Sequence, residues 1–201
     1  MTEAQALRIA LRHLAKEKFL LLVDNRQPSF VTLLTGEPIR GSWFSHPRGK
    51  VIHNTSNRLA ERRELLALKL IDGKYTYVAP AMRDAAYAIA AGGAAWQEKK
   101  LTPPARRLLA LLARKGTVPV TAAIKKDAAL LEKLLLCASE EEHTPGGKHV
   151  KVLVSWKKLA EKLGHRVKEL SREDAERAWE ERVREFNRRH GSEFRLPWQK
   201  R

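Results

Sequence analysis

Residues 65–80 read LLALKLIDGKYTYVAP, two alternating apolar runs joined by Asp72-Gly73. Asp-Gly tolerates positive φ at both positions, and a two-residue turn of that kind matches the twist of antiparallel strands, so the segment predicts a β-hairpin. The register puts Leu68 opposite Tyr77 and Leu70 opposite Tyr75. One face is then apolar, and Lys69, Lys74 and Thr76 lie on the other.

The residues before the hairpin are helical by periodicity. Thr2 and Gln5 have the spacing of a capping box, and Ala4, Leu7, Leu11 and Leu14 follow at three- and four-residue intervals, which predicts an amphipathic first helix. After FLLLV at 19–23, residues 24–28 (DNRQP) have turn chemistry, 29–35 predict a short helix ended by Gly36, and 37–41 form a connection. Ser45 is expected to cap a third helix with Pro47 in its first turn, where a missing N–H costs little. Val51, Ile52, Thr55 and Leu59 form its apolar stripe. Lys50, Asn54, Asn57 and Arg58 fall on the opposite side, with Arg48 and His53 beside them. Pro80 ends the hairpin, and 81–91 read as a further helix.

The same order of elements then runs again. Gly92-Gly93 opens a junction reaching Lys100, after which Thr102 and Pro103 start a helix with Ala105, Leu108, Leu109 and Leu112 on one side, stopped at Gly116. Val118 and Val120 flank Pro119 in a short extended piece. Thr121 is expected to cap a helix carrying Lys125 and Lys126, and 128–134 continue its apolar periodicity. LLLCASEEEHTPGGKHVKVLVSW, residues 134–156, supplies two strand-like runs around a polar loop, a second and larger wing. Residues 156–163 correspond to the helix after the first hairpin, and 164–170 to a linker. Ser171 with Asp174 opens a helix over 172–190, stopped by Gly191, with a stripe of Ala175, Trp179, Val183 and Phe186. For the final segment two states stay open, Phe194 and Trp198 docked on the body or the whole tail mobile.

Short helix, connection, third helix and hairpin, in that order and twice over, resembles the tandem winged-helix nucleic-acid-binding proteins. The resemblance lies in element order. It implies a mostly helical α+β fold with two winged-helix-like units, each with a β-hairpin, at 1–93 and 101–164. A long C-terminal helix and basic tail would follow at 171–201. DNA glycosylases built from tandem winged helices are similar in the same sense, but their glutamine-rich catalytic motif has no counterpart here, and no residue role carries over.

Charge narrows the partner. Lys and Arg number 39 against 23 Asp and Glu, a net charge of +16 with pI near 10.3, while 43% of residues are apolar. The first hundred residues hold 16 basic and 9 acidic groups and the remainder 23 and 14, so both halves are cationic. Such a surface favours a phosphate polymer, whose bound counterions are released on contact. Residues 1–18 are broken by charges, unlike a signal peptide, and no window approaches the roughly 18 apolar residues of a membrane span. A soluble, cytoplasmic protein is expected, nucleoid-associated in a bacterium or archaeon, with duplex DNA as partner and no membrane.

Major-groove reading needs Arg or Lys for guanine edges and Asn or Gln for adenine edges, about one turn apart on one helix face. Lys50, Asn54, Asn57 and Arg58 meet that requirement, with His53 alongside; Ser45, Arg48 and the helix N-terminus suit a phosphate. Lys125 and Lys126 offer a second cationic helix. Lys69 and Lys74 on the first wing, and Lys148, His149 and Lys151 on the second, suit the DNA backbone. Glu140, Glu141 and Glu142 in the second loop would repel phosphate and suit a protein partner. Trp43 and Phe44, just before the third helix, either staple it to the body or stack on an unpaired base.

No catalytic chemistry is legible. Cys137 is the sole cysteine and reads as a small buried apolar residue; Cys137, His143 and His149 lack zinc-ligand spacing. HExxH, GxSxG, the P-loop and GxGxxG are all absent, so no metal or cofactor is expected. The alternatives are a nucleic-acid-processing enzyme on the same surface, glycosylase-like repair included, and an RNA-binding factor.

Overall fold

Thr2 and Gln5 close the capping box that starts α1 (Glu3–Glu17): the Thr2 hydroxyl accepts from the Gln5 N–H, and Gln5 Oε1 accepts from the Thr2 N–H. In this computed structural model the described residues are 1–25, 28–39, 41–90, 93–143 and 149–199. Gly92, Lys148 and the middle of the DNRQP turn lie outside them. The buried line of α1 is Ala6, Ala10 and Leu14, with Leu7 and Leu11 at the core margin and Ala4 exposed, so the helix presents a smaller-residue face than its leucine spacing suggests.

Lys18, at φ 66°, turns the chain into β1 (Phe19–Leu21). Ser29 caps α2 (Phe30–Thr35), which ends at Gly36. A 3-10 turn (Trp43–Ser45) precedes α3 (Gly49–Ala60), and β2 (Leu66–Ile71) and β3 (Lys74–Val78) form the hairpin. Asp72 at φ 48° and Gly73 at φ 68° make the two-residue turn that Asp-Gly favours, with Ile71 paired to Lys74. Beyond it the expected register fails. An irregularity between Leu68 and Ile71 shifts the ladder so that Leu68 faces Thr76 and Ala67 faces Tyr77.

The chain continues through a second 3-10 turn (Pro80–Met82), α4 (Arg83–Ala90), α5 (Ala95–Glu98), α6 (Pro103–Lys115), β4 (Thr117–Pro119) and a third 3-10 turn (Ala122–Ile124). α7 (Lys125–Lys133), β5 (Ala138–His143), β6 (His149–Val154), α8 (Trp156–Leu163) and α9 (Arg172–His190) complete it. The protein is α+β and mostly helical, with two three-stranded antiparallel sheets of order β1-β3-β2 and β4-β6-β5. It divides into two compact units, Met1–Arg83 with Glu176–Gln199, and Asp84–Ala175. Among the described residues no helix is long and apolar enough to cross a membrane.

In the first unit both faces of the sheet are covered. Leu20 and Tyr77, cross-strand partners, point into a core with Ala10, Leu14, Phe30, Leu34, Ile52 and Leu59 from α1, α2 and α3. Phe19 points the other way, 4.9 Å from the ring of Phe186 and 6.3 Å from Trp179 on α9. Thr76 shares that face and is fully buried, not on a wet side of the hairpin, because α9 closes it. The final segment is docked: Phe194 stacks on Phe186, Asn187 bonds the Phe194 backbone, and Trp198 donates to Glu180.

One buried carboxylate joins the two chain ends. Glu17, 1% exposed, accepts from Arg189 and lies 3.5 Å from His190 Nε2. Burial alone would raise its pKa, but Arg189 and His190 outweigh it and hold the carboxyl below its usual range. His13, in contact with Phe186, has its pKa pushed down from 6.5 to about 4, first by burial and then by His190 and Lys16, against the pull of Glu17.

The second unit is built on Leu108, Leu112, Leu131, Cys137 and Leu153, with α6 capped by Thr102. Gln97 is fully buried and bonds the carbonyls of Ile89 and Leu134. Two expectations change here. LLLC at 134–137 is a buried turn with Leu135 at φ 58°, since Leu134 and Leu136 complete the core before the strand begins. Glu140, Glu141 and Glu142 lie in strand β5 and not in a loop, and Glu140 pairs with Lys162 at 2.6 Å. Between β4 and β5 the second unit has a 3-10 turn and α7 where the first has α2 and α3.

Because His13 binds a proton more readily unfolded than folded, its contribution favours the fold above about pH 6.5 and turns against it as pH falls toward about 4. Urea unfolding at both ends of that window should show a larger acid loss for the native chain than for His13→Gln, and equal losses would contradict the buried neutral imidazole.

Candidate nucleic-acid interface

Ile52, Thr55 and Leu59 anchor α3 in the core, and the helix turns Lys50, His53, Asn57 and Arg58 to water. The entry to α3 differs from the expected cap. Ser45 ends the 3-10 turn and donates to the Ser42 carbonyl at 3.0 Å, while α3 starts at Gly49 behind Arg48 without a side-chain cap. Pro47 therefore precedes the helix. Gly49 is required by close approach: a Cβ there would lie 2.5 Å from the Phe44 carbonyl oxygen. The two residues are thus packed backbone to backbone.

That turn sets two aromatic rings apart in role. Trp43 is half-buried against the first unit's core, whereas Phe44 is 64% exposed and stacks on it with centroids 3.9 Å apart and planes at 19°. Phe44 also lies 5.8 Å from the His53 ring, and His53 Nε2 is 3.3 Å from Asn57 Nδ2. Phe44, His53 and Asn57 form a continuous surface beside Lys50 and Arg58.

The other residues read as binding groups divide sharply. Asn54 is half-buried and donates to Glu3 Oε1 at 2.6 Å, and Arg58 lies 3.9 Å from Glu3 Oε2. Arg48 donates to the Leu34 carbonyl in the last turn of α2. Lys74 pairs with buried Asp24 and sits 5.7 Å above the Phe194 ring. Lys151 pairs at 2.7 Å with Glu132, itself buried and also bonded to Ser139. Lys69 is half-buried on β2. Lys125 and Lys126 are exposed at the start of α7, in the second unit. Lys148 lies outside the described residues.

Sequence spacing had no means of finding Glu3, Asp24 or Glu132. Each acts on a residue 19 to 51 positions away, and each reads in one dimension as a surface acid. Among the described residues no group of three or more His, Cys, Asp and Glu is arranged to hold a metal ion. Comparison of the chain with protein-family models, with curated proteins and with solved structures returns no match.

The close packing of Gly49 on Phe44 makes a direct expectation. Gly49→Ala should lose about 1–3 kcal/mol in urea unfolding, the usual cost of an added methyl where the neighbour is backbone. Native-like stability would contradict the close approach.

Proposed function

We propose that the protein binds nucleic acid, with duplex DNA as the partner and the outward face of α3 as the principal contact. The observation that carries this reading is the split of α3 into an apolar anchor of Ile52, Thr55 and Leu59 and an exposed face of Lys50, His53, Asn57 and Arg58. A helix of this kind offers guanidinium and ammonium groups to guanine edges or phosphates, and an amide to adenine. The net charge of +16 supplies the long-range attraction. Helix, strand, further helical segment and hairpin follow one another in both units, and both sheets have the strand order first-third-second, which supports a winged-helix-like reading of each.

Contact through the wings is weaker than the bare sequence suggests, because Lys74 and Lys151 are drawn to the buried carboxylates of Asp24 and Glu132. On this reading α3 is the leading edge and Lys125 with Lys126 a second cationic surface. Glu3 tempers the face: it holds Asn54 and sits beside Arg58, so an indiscriminate phosphate grip there is opposed by a carboxylate. The protein would work in the cytoplasm and, if its source is a bacterium or archaeon, on the nucleoid.

Duplex affinity should fall steeply between about 50 and 200 mM salt, and Lys50→Ala with Arg58→Ala should flatten the log–log salt slope by about two units, one for each phosphate no longer neutralised. The slope is measured by fluorescence anisotropy on one labelled duplex. An unchanged slope removes α3 from the interface, and stronger binding to structured RNA of equal length moves the partner to RNA.

A further inference from the structure

Phe44 presents an aromatic face to solvent in a setting that duplex binding alone does not use. It is the most exposed large apolar side chain among the described residues, at 64%, ahead of Met1 at 47%. Its position is built, not incidental. The Ser42 hydroxyl accepts from the Phe44 N–H, the Gly49 backbone abuts the Phe44 carbonyl, and the Trp43 ring supports one face of the phenyl at 3.9 Å while itself resting on the core. Even with that support the phenyl is 64% exposed, and the His53 ring lies 5.8 Å away, tilted at 48° to it.

The surroundings decide the occupant. A protein partner docking by an apolar knob would meet a ring beside His53 at the entry to a helix whose exposed side carries Lys50, Asn57 and, next to Glu3, Arg58, which favours a flat π-surface carried on a polyanion. A nucleobase has that combination. Bases inside a duplex have both faces stacked already, so the ring fits a base that is unpaired: a bulge, a mismatch or a displaced nucleotide beside the duplex.

We infer that Phe44, backed by Trp43, is a stacking platform for an unpaired base next to a duplex held by α3. This inference rests on the nucleic-acid reading above and names the structure within that class that the site prefers. The cations hold the backbone, and the ring takes the base that leaves the stack.

The test uses the full chain and two DNAs of equal length, a paired duplex and the same duplex with one extra unpaired 2-aminopurine. The native chain should bind the bulged DNA about ten-fold more tightly and quench the 2-aminopurine fluorescence by stacking. Phe44→Ala should bind both DNAs with the affinity of the paired one and lose the quenching, while Phe44→Tyr keeps both effects. Phe44 lies at the surface, so the unfolding midpoint of the Ala variant should match the native value, confirming that the loss is local. Equal affinity of the native chain for the two DNAs, or a preference that survives in Phe44→Ala, overturns the platform and leaves duplex binding standing. Failure to bind either DNA overturns both readings.

Discussion

The first sheet depends on the return of the C-terminal helix. Phe19 lies between Trp179 and Phe186, and Glu17 at the end of α1 holds Arg189 and His190 at the end of α9. A hairpin that otherwise has one wet face is thereby closed on both, and Thr76 in its central strand is fully buried. Burying Glu17 would be costly alone, and the Arg189 guanidinium together with the neighbouring His190 offsets that cost. Removing one partner of such a pair leaves a charge in the interior, so the pairing links the two ends of the chain in a specific geometry.

The same packing determines which cations remain outside. The segment after α9 reaches the hairpin tip, where the Asp72 N–H donates to the Arg195 carbonyl and Lys74 lies over Phe194 while paired with Asp24. A hairpin held in this way no longer offers the side chain that would meet a phosphate first. α3 keeps its outward set, since its neighbours take up only its apolar stripe and, through Glu3, Asn54 and the edge of Arg58. In the second unit Glu132 does to Lys151 what Asp24 does to Lys74 in the first. In both sheets a buried carboxylate engages a strand lysine.

Local signals were readable and distant ones were not. Thr2 with Gln5, Ser29 before α2, Thr102 before α6, Ser171 before α9 and the Asp72-Gly73 turn all involve partners within a few residues, and each appears where the spacing puts it. The hairpin register went wrong because the irregularity near Leu70 has no marker in an alternating run. Ser45 has the composition of a helix cap, yet the turn it sits in is fixed by Gly49 against Phe44, an approach that depends on backbone shape. For the candidate interface, periodicity identified the exposed side of α3. The fates of Asn54, Lys74 and Lys151 were decided by acids distant in sequence, which no spacing rule reveals.

The central claim is that exposed cations on α3 meet nucleic acid while the hairpin lysine stays engaged within the fold. Lysine acetylation of the full chain with and without duplex DNA, read by mass spectrometry, tests it most directly. Lys50 should be protected by the duplex and Lys74 should react equally slowly in both samples. Protection confined to Lys74 and Lys69, with Lys50 unchanged, would contradict it.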